Sequence, residues 1–255
     1  MTTLAVIPAR LASTRLPRKL LLAETGRPLI QYVWEVARTV PELDEVVVAA
    51  DDAEIVAAVE GFGGTAVLTG DHPSGTDRVA EVVRGRPDVG LVVNLQGDEP
   101  ELDATSVSKL VALMTDGRTE MATLATPFGS AAEVRDPGNV KCVRSSDGLA
   151  LYFSREPVPH LRDDTVDGWF AGAVECDLPV QDCPWLLHLG IYAYRREFLL
   201  ALAGMPPSPL ERFEKLEQLR AMEAGATIRV AVTPHRSVGI DTRADYDRFV
   251  ARQAS

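Results

Sequence analysis

Apolar residues in the first half of the chain follow two alternating rhythms. Short runs at Leu4–Ile7, Glu45–Ala50, Thr65–Thr69, Val89–Gln96 and Met121–Pro127 read as strands. Val46-Val47-Val48-Ala49-Ala50 and Leu91-Val92-Val93 lack polar alternation, the pattern of strands covered on both faces. Between the runs, Leu29, Val33, Val36, Ala37 and Val40 recur at helical spacing. Residues 52–61, 76–84 and 104–115 read the same way. Such alternation predicts an α/β fold with a parallel sheet and right-handed crossovers. The rhythm changes after about residue 137. Val140–Arg144 and Leu149–Ser154 predict adjacent strands around a Ser145-Ser146-Asp147-Gly148 turn. Residues 155–185 are rich in Pro, Asp and Gly and predict no regular element. A long strand at Leu186–Arg195, one helix over 209–224 with Pro209 in its first turn, a strand at Ile228–Val232 and a helix over 244–252 complete the pattern. The expected organisation is a single domain, 1–255, with an inserted β-region at about 138–195.

With 255 residues, 46% hydrophobic and 25% charged, the composition is that of a globular chain. No run approaches a membrane span, and the start, Met-Thr-Thr-Leu, lacks signal-peptide features, so a cytoplasmic protein without a membrane partner is expected. The three cysteines, Cys142, Cys176 and Cys183, are odd in number and form no Cys-x-x-Cys pair; reduced thiols are expected. The net charge is −11, which argues against nucleic acid as a partner. Against that background, residues 1–27 carry five cations (Arg10, Arg15, Arg18, Lys19, Arg27) and one acid (Glu24), a net +4.

That cationic loop follows the first strand, where open α/β sheets bind ligands. It contains neither G-x-G-x-x-G nor G-x-x-x-x-G-K-[ST]. It offers guanidinium forks, an ammonium and the hydroxyls of Ser13 and Thr14, a set suited to a polyphosphate. Three further constellations stand at strand ends. In His72-Pro73-Ser74-Gly75-Thr76-Asp77-Arg78, Ser74 or Thr76 is either a helix cap or part of a surface that reads a base edge. In Gln96-Gly97-Asp98-Glu99, the acids either cap a turn or hold Mg²⁺ on a nucleoside triphosphate, with Gly97 allowing close backbone approach. Asp241, in Gly239-Ile240-Asp241-Thr242, is an N-cap or a second metal carboxylate. His188 is a packed strand histidine or a site residue, and no hydrolytic triad or zinc spacing stands out.

Seven segments, in order, resemble the 3-deoxy-manno-octulosonate cytidylyltransferase (CMP-Kdo synthetase) family: IPARLASTRLPRK at 7–19, HPSGTDRVAEVV at 72–83, VNLQGDEP at 93–100, ALYFSR at 150–155, HLGIYAYR at 188–195, PSPLERFEKLEQLR at 207–220 and GIDT at 239–242. The resemblance implies a Rossmann-like nucleotidyltransferase fold of the glycosyltransferase-A type: a mostly parallel sheet flanked by helices, with the inserted β-region used for dimerisation. It implies transfer of CMP from CTP to the 2-hydroxyl of 3-deoxy-D-manno-octulosonate (Kdo), with Mg²⁺, for lipopolysaccharide-type glycans; the alternative is a related acid sugar such as 8-amino-Kdo or a sialic acid. By that resemblance Arg10, Lys19 and Asp98 are catalytic. Arg10, Ser13, Thr14, Arg15, Lys19, Ser74, Gly75, Arg78 and Gln96 surround CTP. Gln96, Arg155, His188, Tyr192, Glu217 and Gln218 meet Kdo, and Asp98 and Asp241 bind the metal. A homodimer is expected. The family commonly has Gly-Lys-Pro-Leu where this chain has Arg18-Lys19-Leu20-Leu21.

Overall fold

The computed structural model describes residues 1–172 and 184–254. In chain order the elements of the first half are β1 (Thr2–Ala9), α1 (Leu29–Thr39), β2 (Glu45–Ala50), α2 (Ala53–Gly61), β3 (Thr65–Leu68), α3 (Gly75–Arg84), β4 (Val89–Asn94) and α4 (Ala104–Ala112). Then come β5 (Met121–Pro127), α5 (Ala131–Arg135), β6 (Lys141–Arg144), β7 (Ala150–Ser154), α6 (Val166–Gly172) and β8 (Leu186–Arg195). The last are α7 (Arg196–Ala203), α8 (Pro209–Glu214), α9 (Gln218–Glu223), β9 (Ile228–Val232) and α10 (Arg243–Gln253). A 3₁₀ turn, Lys19–Leu21, sits between β1 and α1.

The chain forms two compact units. The first comprises Met1–Ala112, Ile191–Ala203 and Ser237–Ser255. Its strands run in the order β3-β2-β1-β4, and all three pairings are parallel. The end of β8 then pairs antiparallel with β4, Asn94 facing Tyr192 and Leu91 facing Arg195. The parallel sheet expected from the alternation is therefore mixed, with β8 running antiparallel to β4. Leu4, Ala5, Val6 and Ile7 of β1 are fully buried, as are Val48–Ala50 of β2 and Val92 and Val93 of β4. Apolar runs without alternation thus became strands with cover on both faces. One core cluster, Leu16, Leu29, Tyr32, Ile240, Tyr246 and Phe249, matters for function. It anchors the basic loop through Leu16 and the segment before α10 through Ile240.

The second unit comprises Leu113–Gly190 and Gly204–Arg236. There β5 pairs with β9 in parallel, β6 and β7 form an antiparallel hairpin, and the start of β8 pairs antiparallel with β6. Two expectations fail here. The stretch 155–185 holds a helix, α6, whose Trp169 and Phe170 pack on the buried Trp185. The rest of that stretch, 173–183 with Cys176 and Cys183, lies outside the described residues. The single helix expected over 209–224 is two, because Lys215 adopts a left-handed conformation (φ 55°) and ends α8. Pro209 does open α8, behind a capping box of Ser208 and Glu211. Cys142 is a buried free thiol whose pKa burial pushes up to about 12.

Candidate active site

In the first unit, β1 ends at Ala9 and the chain turns into the basic loop. Leu11 N–H donates to Asp51 Oδ1 at 2.9 Å, and Leu16 is buried in the core, so both ends of the loop are tied down. Gly97, after β4, lies so close to β1 that an added Cβ would sit 3.3 Å from Ile7 Cγ2 and 3.4 Å from the Pro8 carbonyl. Side-chain-free backbone there lets the two strand ends converge. Between them opens a cleft of about 370 Å³. Arg10, Ser13, Thr14, Arg15, Lys19, Gly75, Gln96, Asp98 and Asp241 all line it. Residues from four distant segments are thus gathered at the C-terminal ends of parallel strands, the position the loop's place in the sequence predicts.

Lys19 is the centre of this cleft. Its Nζ lies 2.5 Å from Asp98 Oδ2, 3.1 Å from Asp241 Oδ1 and 2.9 Å from the Ile240 carbonyl. Burial pushes the ammonium pKa down, but the two carboxylates outweigh it and hold the pKa above the ordinary lysine value. Asp98 and Asp241 are brought together by the backbone: Ile240 N–H donates to the Asp98 carbonyl at 2.9 Å. Arg15 reaches Asp241 from the solvent side at 2.9 Å. Asp241 is not the helix cap; Thr242 caps α10 with Asp245 in a reciprocal box. Glu99, next to Asp98, is pushed up to about 7, by burial first and by the Asp98 charge second. Two carboxylates that converge on one cation select positive charge. Hard oxygen donors of this number suit Mg²⁺, which takes one or two carboxylates plus phosphate oxygens. Among the described residues no group of three or more His, Cys, Asp or Glu is placed to hold a metal ion.

Other predicted residues stand apart from the cleft lining. Ser74 caps α3, its Oγ accepting from Asp77 N–H at 3.1 Å, which is the capping alternative. Arg78 is 1% exposed and turned under the segment before α3, donating to Thr69 Oγ1 and to the Gly70 carbonyl at 3.2 Å. Tyr192 is half-buried on β8 beside Tyr194, ring centroids 5.7 Å apart. Arg18 takes a left-handed conformation (φ 56°) and its guanidinium pairs with Glu54. Sequence reasoning missed Asp51, the acid that fixes the loop. Its signal was present, since it is the first polar residue after the apolar run of β2.

Four predicted residues belong to the second unit. Arg155 is clamped, donating to the Glu214 carbonyl at 2.6 Å and to the Pro137 carbonyl at 2.8 Å. Glu214 accepts from Ser154 Oγ at 2.8 Å and from Arg155 N–H at 2.9 Å. His188 Nε2 lies 3.1 Å from Thr123 Oγ1, and its ring meets Phe153 edge-on at 5.0 Å. Burial pushes the His188 pKa down to about 3, so the ring is neutral. Glu217 lies 3.7 Å from Arg220, whose guanidinium forks onto Glu211 at 2.8 and 2.6 Å. Gln218 is 4% exposed and its Nε2 has no hydrogen-bond partner, a buried donor that calls for an acceptor.

Known proteins resemble this chain over nearly its whole length. The family model for cytidylyltransferases matches residues 4–228. A 3-deoxy-manno-octulosonate cytidylyltransferase of Syntrophotalea carbinolica is 47% identical over 253 residues, covering 98% of both chains. One from Xanthomonas axonopodis pv. citri is 50% identical, covering 98% of this chain and 95% of the other. A solved CMP:2-keto-3-deoxy-manno-octonic acid synthetase complexed with CTP superposes with a TM-score of 0.89 at 40% identity, covering 100% and 99% of the two chains. A 4-diphosphocytidyl-2C-methyl-D-erythritol synthase of Anaerococcus prevotii, 14% identical with a TM-score of 0.62, shares the fold. The chain is therefore a nucleotidyltransferase that belongs to the 3-deoxy-manno-octulosonate cytidylyltransferase family.

Proposed function

We propose that this chain transfers CMP from CTP to the 2-hydroxyl of Kdo and releases pyrophosphate. The observation that carries the reading is the gathering of Arg10, Arg15, Lys19, Asp98 and Asp241 around one cleft. In the reaction the sugar oxygen attacks the α-phosphorus. A new O–P bond forms, the bond to the β-phosphate oxygen breaks, and the hydroxyl proton leaves to solvent. Such transfer rests on positioning and on stabilising charge as it develops. Arg10 and Arg15 would hold the phosphates, with Ser13 and Thr14 adding hydroxyls. Lys19, released from a carboxylate, would turn to a phosphate oxygen. Asp98 and Asp241 would hold Mg²⁺, which when bound neutralises triphosphate charge and lowers the pKa of the attacking hydroxyl. The Gly75 backbone would lie along the nucleotide; Ser74 and Arg78 would shape that wall from behind.

Gln96, Tyr192, Arg155, His188, Glu217 and Gln218 would meet the acid sugar. Support comes from the partnerless Gln218 Nε2, which a sugar hydroxyl or carboxylate would satisfy, and from the neutral His188, an acceptor or donor without charge. The family model spans most of both units, which supports one catalytic domain over 1–255. The β-region 138–195 would supply the contact of a homodimer. The product would feed lipopolysaccharide-type glycan synthesis in the cytoplasm. Among the described residues no helix is long and apolar enough to cross a membrane.

The test is pyrophosphate release with Mg²⁺ across CTP and UTP and across Kdo, 8-amino-Kdo and a sialic acid. CTP with Kdo is expected to be fastest. Release with CTP and a sialic acid alone would move the substrate; no release with any 3-deoxy-ulosonic acid would overturn the reading.

A further inference from the structure

The segment 69–72, between β3 and α3, is held from beneath by two charged side chains of α3. Arg78 donates to the Gly70 carbonyl at 3.2 Å and to Thr69 Oγ1. Glu81, one turn further on, accepts from Gly70 N–H at 3.1 Å and pairs with His72 Nε2. One residue's carbonyl and N–H are thus both engaged by the same helix. Thr69 closes the other end, its N–H and Oγ1 donating to the Ala50 carbonyl at 2.8 and 2.9 Å. Pro73 follows His72 and restricts it to extended backbone. What this braced segment presents is the His72 carbonyl, and Arg10 Nη2 donates to it at 2.8 Å. Arg10 is otherwise exposed, and an exposed arginine loses rotamer freedom when a ligand fixes it.

Resting on the reading above, we propose that Glu81 is a positioning residue for Arg10, acting through His72 to pre-place the Arg10 guanidinium in the cleft. Glu81 does not line the cleft itself. Its carboxylate holds the His72 ring and the Gly70 N–H, which fixes the His72 carbonyl, which fixes Arg10. The pairing with His72 is the first cause holding the Glu81 pKa below the usual carboxylate range, as a carboxylate engaged in the charged form requires.

A double-mutant cycle tests it, read as the dissociation constant for CTP with Mg²⁺ by titration calorimetry, with pyrophosphate release from CTP and Kdo measured in parallel. Glu81→Gln is expected to weaken CTP binding about tenfold, the size of one lost charge-assisted hydrogen bond, while the KM for Kdo stays within about twofold. In an Arg10→Ala background the same substitution is expected to change CTP binding less than about twofold. His72→Gln keeps an N–H for the carboxylate and is expected to bind like wild type; His72→Leu repeats the Glu81→Gln loss and carries the cycle if Glu81→Gln does not fold. Additive losses, or unchanged CTP binding in both Glu81→Gln and His72→Leu, overturn the proposal. A wild-type protein that binds CTP but releases no pyrophosphate sinks the substrate reading and leaves the cycle readable. A wild-type protein that does not bind CTP sinks both.

Discussion

Lys19, Arg18 and His188 each meet a different local demand of the fold. Lys19 is the counter-ion that lets Asp98 and Asp241 share a small space; without a cation the two carboxylates would repel each other. Arg18 occupies a left-handed position (φ 56°) that glycine fills at no steric cost and other residues at about 1–2 kcal/mol. That geometry accounts for the glycine the family commonly has there, and the Glu54 pair is what Arg18 adds instead. His188 yields a prediction in pH. Its folded pKa is about 3 against an ordinary 6.5, so below about pH 6.5 the unfolded chain binds a proton that the folded chain refuses. Its contribution to stability is full above 6.5 and is lost as pH falls toward 3. Denaturant unfolding at pH 7 and 4.5 is expected to show wild type losing about 2 kcal/mol more than His188→Gln over that interval. Equal losses would mean that the ring is solvated in the folded state.

At the scale of elements, local pattern and tertiary context divide cleanly. The bounds of β2, β5, β8 and β9 match the runs read from the sequence residue for residue. The helix α6 was not legible, since its Trp169 and Phe170 find their partner in Trp185, sixteen and fifteen residues on and just before β8. The approach of Asp98 to Asp241 depends on a backbone bond between residues 240 and 98, which no spacing encodes. The residue types in the cleft were legible; that Ser74 is the residue capping α3 and that Arg78 is buried were not, because capping and burial leave the same polar letters in the sequence. The break between α8 and α9 rests on Lys215, a lysine at a left-handed position where glycine is favoured. Lys215→Gly is expected to raise stability by about 0.5–1 kcal/mol, seen as a higher thermal midpoint. A lower midpoint would mean that the lysine side chain holds that turn by contacts that outweigh its strain.

Taken whole, the molecule sets a small positive region in a negative background. Residues 1–27 carry +4 and the remainder −15, so an anionic ligand is favoured at the loop over the negative background. The residues assigned to nucleotide and metal lie in one compact unit, and Arg155, His188, Glu217 and Gln218 in the other. Gln96 and Tyr192, also proposed to meet the sugar, lie in the same unit as the nucleotide residues. The proposed reaction depends most on the acid pair at the cleft. The most direct check is the rate of pyrophosphate release from CTP and Kdo by Asp98→Asn at saturating substrates over a Mg²⁺ titration. The account predicts a fall of at least about 100-fold that added Mg²⁺ does not restore, with an unchanged thermal midpoint. A near-wild-type rate in a folded Asp98→Asn protein would contradict it.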